Sequence, residues 1–304
     1  MRGKMKALIT GIEGFLGANL AQELQRQGYE VIGTSLNRTN KTSLDALGVK
    51  CRVEYGDVTD QSFIERVISS SECDTVFHLA AVSIVRIADR SPALALRTNI
   101  LGTINVLETC RKLGVKCLLA TSDKAYGDQG GVPYVEEMLL NPKGAYEVSK
   151  SCADHIGMLY NAIVVRCANI YGPADLNWSR MIPNALKSIN QGKPPKVYGD
   201  AITQKREWLY VKDACNAYIE LAKYSERGAF NVGSGEQMSP MEIAETIKEK
   251  TGYPIIDVQT KENPFYEIKE QILDCSKIST IWKAEYSIDR GLDETIKWYE
   301  DYLK

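Results

Sequence analysis

The chain reads as an α/β protein, a doubly wound parallel sheet with a smaller C-terminal lobe. Three observations carry that reading. Short β-branched apolar runs alternate with amphipathic helical stretches through the first half. A glycine-rich turn joins the first run to the first helix. From about Tyr171 the alternation loosens into proline-bounded loops. With 304 residues, 44% of them hydrophobic, the chain can bury one large core, which excludes a disordered protein.

The elements follow in order. "KALIT" (6–10) is an apolar strand. "GIEGFLG" (11–17) is the turn and "ANLAQELQRQ" the helix, stopped by Gly28. "YEVIGTS" is the second strand, and "CRVEYGDVTD" a strand and turn. "SFIERVISS" is a helix, "DTVFHLAA" a strand, "LALRTNILGTINVLETCRKLG" a long helix and "VKCLLATS" a strand.

Gly11, Gly14 and Gly17 follow a strand and open a helix. Small residues there let the backbone approach a pyrophosphate at a helix N-terminus, whose dipole favours the anion. Residues 1–172 are therefore expected to form a dinucleotide-binding Rossmann unit, with segments returning near 205–234 and 270–276. Residues 173–304 are expected mainly to form a substrate lobe. The second strand ends in Thr34, Ser35, Leu36, Asn37 and Arg38, with no acid to meet an adenosine ribose. NAD and NADP both stay open: Arg38 could meet a 2′-phosphate or be a solvated loop residue. Asp57, ending the third strand, reaches the adenine edge or belongs to a helix N-terminus.

Composition excludes several classes. The 37 basic and 39 acidic residues nearly cancel and leave no basic patch for nucleic acid. The eight cysteines form no CxxC pair and only two histidines are present, which argues against a metal site. Several cysteines sit in apolar patterns, as buried thiols of a reducing cytoplasm do. No apolar run reaches membrane-spanning length, and "MRGKM" (1–5) is too short for a signal peptide.

"TSDKAYG" (121–127) puts a hydroxyl, an acid and an amine in a row at a strand's carboxyl end, where doubly wound sheets bind ligands. Its bland reading is a polar turn with a surface ion pair. "AYEVSKSCADHIGMLY" (145–160) is a helix on which Tyr146 and Lys150 share one face. A neighbouring ammonium and an oxidised nicotinamide would lower the phenol from its usual pKa near 10. Tyr146 then takes a hydroxyl proton while hydride leaves the carbon, and Ser122 holds the same hydroxyl.

With these residues the chain resembles the extended short-chain dehydrogenase/reductases that act on nucleotide sugars. The resemblance runs through "TGIEGFLG", "GDVTD", "FHLAA", "TNILGTINVLE", "YEVSK", "VVRCANIYGP", "REWLYVKD", "FNVGSG", "LDCSK" and "GLDETIKW". It implies that Ser122, Tyr146 and Lys150 oxidise an alcohol. Val58, Leu79, Ala80, Ala81 and Asn99 then serve the cofactor, with Tyr146 and Lys150 also touching it. Ser83, Asn169 and Arg206 face the nucleotide sugar. One departure is the short connection between the Tyr146 helix and "NAIVVR".

A 4-epimerase needs only the hydroxyl, Tyr and Lys. A 4,6-dehydratase must also take the C5 proton and expel the C6 hydroxyl, which requires an extra acid and base. The run "SDK", with "SKSCAD" and "LDCSK", is similar to the CDP-glucose 4,6-dehydratase branch. Asp123 is then the acid for the departing hydroxyl. Lys124 is either the C5 base, if neutral, or an electrostatic clamp, if charged. "REWLYVKD" looks like the commoner epimerase and dehydratase form, so CDP leads, with GDP-mannose next and UDP and dTDP behind.

In the lobe, Asn177, Trp178 and Arg180 are candidates for base and diphosphate contacts, since Arg suits bidentate phosphate recognition. Trp178 reads equally as core. "REWLYVKDACNAYIELAKY" is expected to return a strand and helix to the sheet, and "SPMEIAETIKEKTG" is a capped helix. The rival readings are a 4-epimerase or related reductase, and a non-catalytic dinucleotide-sensing scaffold. A homodimer is expected, because the helix around 92–112 is apolar on more than one side.

Overall fold

The computed structural model describes residues 4–198, 202, 204–259 and 268–304; the first three residues of "MRGKM" lie outside them. Seven strands form the central sheet: β1 (Lys6–Thr10), β2 (Glu30–Ser35), β3 (Arg52–Tyr55), β4 (Thr75–His78), β5 (Lys116–Ala120), β6 (Ile163–Cys167) and β10 (Gly228–Val232). Their order is β10-β6-β5-β4-β1-β2-β3, and every pairing is parallel. The chain winds outward in both directions from β1 and β4. The loops after those two strands diverge and open a crevice at the carboxyl edge.

Alternate residues of β1 separate the two core layers. Ala7 and Ile9 face α1 (Phe15–Arg26) and α9 (Val211–Lys223), while Leu8 faces α3 (Gln61–Ser71) and α6 (Gly102–Leu113). Strands covered on both faces need apolar residues on both, hence the "ALI" run of β1 and the "IVV" run of β6. Helix ends follow local chemistry. Asp60 caps α3 by accepting from Ser62 N and Phe63 N. Ser239 and Glu242 form a capping box on α10 (Pro240–Thr251).

The long helix expected around 94–114 is interrupted. α5 (Pro92–Leu96) passes through a π turn at Arg97–Leu101 before α6 begins. Asn99 lies inside that turn and is buried. Two short helices had no periodic signal strong enough to read: α2 (Ser43–Leu47) and α4 (Val85–Arg90). α7 (Ala145–Leu159) carries Tyr146 and Lys150, and three residues separate its end from β6.

One expectation is corrected. β9 (Arg206–Tyr210) does not return to the central sheet, because β10 already occupies the edge of β6 through Gly228↔Ile163 to Val232↔Cys167. β9 instead pairs with β7 (Asn169–Tyr171) and β11 (Gln237–Met238) in a sheet of its own. α8 (Met181–Asn190) and a pair formed by β8 (Lys196–Tyr198) and β12 (Asp257–Gln259) lie beyond it, and α11 (Ile288–Tyr302) closes the lobe.

Candidate active site

A cavity of about 750 Å³ runs along the carboxyl edge of the sheet, from the glycine turn to the lobe. Its first end is the turn itself. Gly11 has φ +73°, and a side chain there would come within 2.9 Å of Ala80 Cα. A Cβ on Gly17 would overlap the carbonyl oxygen of Gly11, so the helix packs tightly on the turn. Gly14 caps α1 without any side-chain hydrogen bond, so that N-terminus stays open. These features give the turn the room and the free backbone donors that a pyrophosphate requires.

Gly11, Gly14, Gly17, Ser35, Leu36, Asp57, Val58, Leu79, Ala80 and Ala81 all line this end. Asp57 accepts from Thr59 N at 2.8 Å, and the helix cap is Asp60. Arg38 does not line the cavity. It is exposed, with its guanidinium 5.8 Å from the centroid of the Tyr55 ring.

Asn99 does not line it either. Its amide oxygen accepts from Val82 N at 2.8 Å, and its Nδ2 donates to Ser149 Oγ at 2.8 Å. It therefore positions the loop after β4 against α7. It is also part of a longer chain that sequence reading missed. Thr103 Oγ1 donates to Asn99 O at 2.6 Å, so it accepts from His78 Nε2. His78 Nδ1 then accepts from Thr10 Oγ1 at 2.7 Å, and Thr10 Oγ1 accepts from Leu79 N and Ala80 N. Burial pushes His78 down to about 3, so the ring is neutral and fits these roles. The buried polar residues inside "FHLAA" and "TNILGT" were the available signal.

The middle of the cavity holds Ser122, Asp123, Lys124, Tyr146 and Lys150 together. Ser122 ends the strand segment, and Asp123–Tyr126 is a single 3₁₀ turn. The turn closes on Gly127, where φ is +68° and any side chain would overlap Asn141 O. Beneath it, Tyr126 donates to Asn231 Oδ1 and accepts from Arg166, which forms a buried bidentate pair with Asp154. Ser122 Oγ donates to Asp123 Oδ1 at 3.0 Å, while Asp123 Oδ2 is buried with no protein partner. Burial raises the Asp123 carboxyl above its usual range, against opposing pulls from Lys124, Ser122 and Arg206. Lys124 Nζ donates to Gln271 Oε1 at 3.4 Å; Gln271, from the late segment before "LDCSK", had no motif to mark it.

The Tyr–Lys pair is aligned as expected, but its electrostatics differ from the sequence reading. Burial pushes the Tyr146 phenol up to about 12, with the Ser122 hydroxyl pulling the other way. Lys150 is buried, held down at about 8, and donates to Ala120 O at 2.8 Å. The expected lowering by its ammonium is reversed in the chain itself. Burial costs the phenolate its hydration, and the amine is turned to a carbonyl.

Ser83, Asn169, Asn177 and Arg180 line the far end, with Trp208, which the sequence did not single out. Asn169 Nδ2 donates to Glu207 O at 3.3 Å. Arg180 pairs with the buried Asp175 at 3.2 Å. Trp178 is half-buried and packs edge-on against the core residue Tyr299 at 6.0 Å. Arg206 is buried and does not line the cavity: it lies on β9, behind Asp123, donating to Lys205 O and Gln204 Oε1. Among the described residues no cluster of three or more His, Cys, Asp or Glu could hold a metal, and no helix is long and apolar enough to cross a membrane. All eight cysteines are unbridged.

Comparison with known proteins agrees with this architecture. A dTDP-glucose 4,6-dehydratase of Neisseria meningitidis is 27% identical, covering 97% of this chain and 93% of that protein. The structure of a UDP-glucose 4-epimerase of Thermotoga maritima, with UDP-glucose, superposes with a TM-score of 0.91 at 26% identity, over 99% of this chain and 100% of the other. That of a dTDP-glucose 4,6-dehydratase of Bacillus anthracis, in complex with NAD, gives 0.88 at 25%, over 98% and 97%. A family model described as GDP-mannose 4,6 dehydratase matches residues 8–295, nearly the whole length, and the chain belongs to that family.

Proposed function

We propose that the protein is a nucleotide-sugar 4,6-dehydratase, converting an NDP-hexose to its 4-keto-6-deoxy form with a nicotinamide dinucleotide. The observation that carries this reading is Asp123: buried, raised by burial, and with one oxygen unpartnered beside the cavity. A carboxyl shifted in that direction holds a proton to higher pH than an exposed one, as the donor to a leaving hydroxyl must.

The bound dinucleotide would supply a hydride acceptor and donor: Gly11, Asp57 and Ala80 would hold its pyrophosphate and adenosine, which leaves the nicotinamide towards Ser122 and Tyr146. The Bacillus anthracis neighbour, in complex with NAD, supports a nicotinamide dinucleotide as the cofactor. Tyr146 would take the proton of the C4 hydroxyl once the positive charge of a bound oxidised nicotinamide lowers its phenol from about 12, with Ser122 orienting the same group. Lys150, one helical turn along α7 from Tyr146, is anchored by its bond to Ala120 O. Asp123 protonates the C6 hydroxyl as it leaves. Lys124, fixed by Gln271, faces C5 as base or as clamp on the developing enolate. Asn177 and Arg180 meet the nucleotide diphosphate.

CDP-glucose is the substrate that "SDK" and "LDCSK" favour, and GDP-mannose follows, in line with the family description. The unbridged cysteines and a nucleotide-sugar substrate suit a cytoplasmic enzyme. A second reading, 4-epimerase, is favoured by the fit to the Thermotoga maritima structure. Incubation with CDP-glucose, GDP-mannose, UDP-glucose and dTDP-glucose separates them by mass. A dehydratase product has lost one water and an epimer has not; turnover of none, with cofactor bound, would point to a sensing scaffold.

A further inference from the structure

We infer that Gln271 is a positioning residue for elimination: its amide oxygen, a neutral acceptor, fixes the Lys124 amine for removal of the C5 proton without tying the lysine to its charged form. This rests on the dehydratase reading of the site. Lys124 lines the cavity and Gln271 does not, so Gln271 acts through Lys124.

Lys124 Nζ donates to Gln271 Oε1 at 3.4 Å. The backbone of Gln271 is held from two sides. Its N donates to Lys205 O at 3.3 Å, beside the bridge of Lys205 with Glu270, and its O accepts from Gln237 Nε2 at 2.9 Å. The next two residues are tied as well. Ile272 O accepts from Tyr134 N at 2.9 Å, and Leu273 N donates to Glu207 Oε2 at 2.7 Å. The amide is thus presented to Lys124 by a segment anchored to β9, to β11 and to the loop at Tyr134.

Packing alone does not explain an amide here. Gln271 is 1% exposed, and its Nε2 is buried with no protein partner. A buried N–H without an acceptor destabilises a fold, and a methionine of similar length would fill the space without one. Among the described residues, the hydrogen bond with Lys124 is the one that the Gln271 side chain makes.

A carboxylate in this place would pair with the ammonium and hold the proton on it. A neutral oxygen accepts an N–H from an amine or from an ammonium, and leaves the amine's lone pair free for the sugar. The step from the 4-keto sugar then balances. Lys124 Nζ takes the C5 proton, the C5–H electrons form the C5–C6 double bond, and the C6–O bond breaks. Asp123 gives its proton to the departing hydroxyl, which leaves as water. A neutral pair becomes an ammonium and a carboxylate. The amine form also suits Asp123, because the charge of Lys124 is the largest of the pulls that oppose the raising of that carboxyl by burial.

The test uses the purified full chain with its dinucleotide, in deuterium oxide, with CDP-glucose as the first probe and then the other three sugars of the panel. Single turnover reads reduced nicotinamide for oxidation at C4, deuterium at C5 for proton removal, and mass for loss of water. Gln271→Glu should lower C5 exchange and the kcat of dehydration by about tenfold or more, with KM and nicotinamide reduction within about threefold. Gln271→Met should also lower dehydration by about tenfold, while its melting temperature equals or exceeds that of the wild type, which a merely structural role would not allow. In a Lys124→Met background, Gln271→Glu should cause no further loss. Dehydration within about threefold of wild type in both single variants, or oxidation and dehydration falling together, would overturn the inference alone. A wild type that takes water from none of the four sugars would overturn the dehydratase reading with it.

Discussion

The hydroxyl of Ser122 donates to Oδ1 of Asp123 at 3.0 Å and leaves Oδ2 buried and unpartnered. One oxygen of the carboxyl is thus fixed, and the other is placed to carry a proton. In the proposed reaction the serine that would orient a sugar hydroxyl for oxidation would also orient the acid for elimination.

Asp123→Asn should split the reaction. The amide keeps the shape but cannot give a proton to the leaving hydroxyl. Oxidation at C4 should persist, so reduced nicotinamide accumulates in single turnover without loss of water. Steady-state dehydration should fall by about 10²–10⁴-fold, the usual contribution of a general acid. Lys124→Met should behave alike. Dehydration at near wild-type rate in both variants would remove the ground for preferring a dehydratase to an epimerase.

Tyr146→Phe should abolish turnover while cofactor binding stays nearly intact. The ring is buried, and removal of its hydroxyl leaves the packing in place. Activity within tenfold of wild type would exclude Tyr146 as the group that takes the proton.

Lys150 should cost the protein stability at neutral pH. Its folded pKa is held at about 8 by burial, below the ordinary 10.5. The unfolded chain then binds the proton more tightly, so the penalty is full below about 8 and fades as pH rises towards 10.5. Lys150→Met should therefore raise the melting temperature by a few degrees at pH 7, and the gain should shrink by pH 10. Calorimetry of both proteins at the two pH values checks this; a gain that is constant or grows with pH would contradict the assignment.

In solution the chain should be a homodimer. Leu94 and Leu101, on the helix that passes through the π turn, are exposed, as are Met158 and Leu159 at the end of α7. Light scattering at micromolar concentration should return twice the 33.9 kDa chain mass. A monomer there would count against it.

Much of the fold was legible because parallel strands covered on both faces need continuous apolar runs, and Gly11 and Gly28 mark the turns between them. The candidate catalytic residues were legible because they sit in two short segments, 122–124 and 146–150, that one strand end and one helix bring together. What escaped depends on contacts between distant segments. Gln271 meets Lys124 across 147 residues of sequence, and His78 meets Thr10 across 68. The placement of β9 escaped because a strand that matches the family pattern can lie in either sheet, and only the competition of β10 for the edge of β6 decides which. The direction of the Tyr146 shift escaped because spacing shows who the neighbours are but not how dry they are.

The π turn at Arg97–Leu101 sets the angular phase of everything after it. Each residue of an α-helix advances about 100° around the axis, so the one extra residue held in a π turn offsets the following helix by that much. Leu94 and Leu101 can then be exposed while Asn99, Thr103 and Asn105 are buried, an arrangement that no single stripe of 3.6 periodicity describes. Removing one residue between 97 and 101 would let the backbone relax to an unbroken helix. It would also rotate Asn99 away from Val82 and Ser149, parting the loop after β4 from the helix that bears Tyr146. This segment therefore tolerates changes of side chain far better than changes of length.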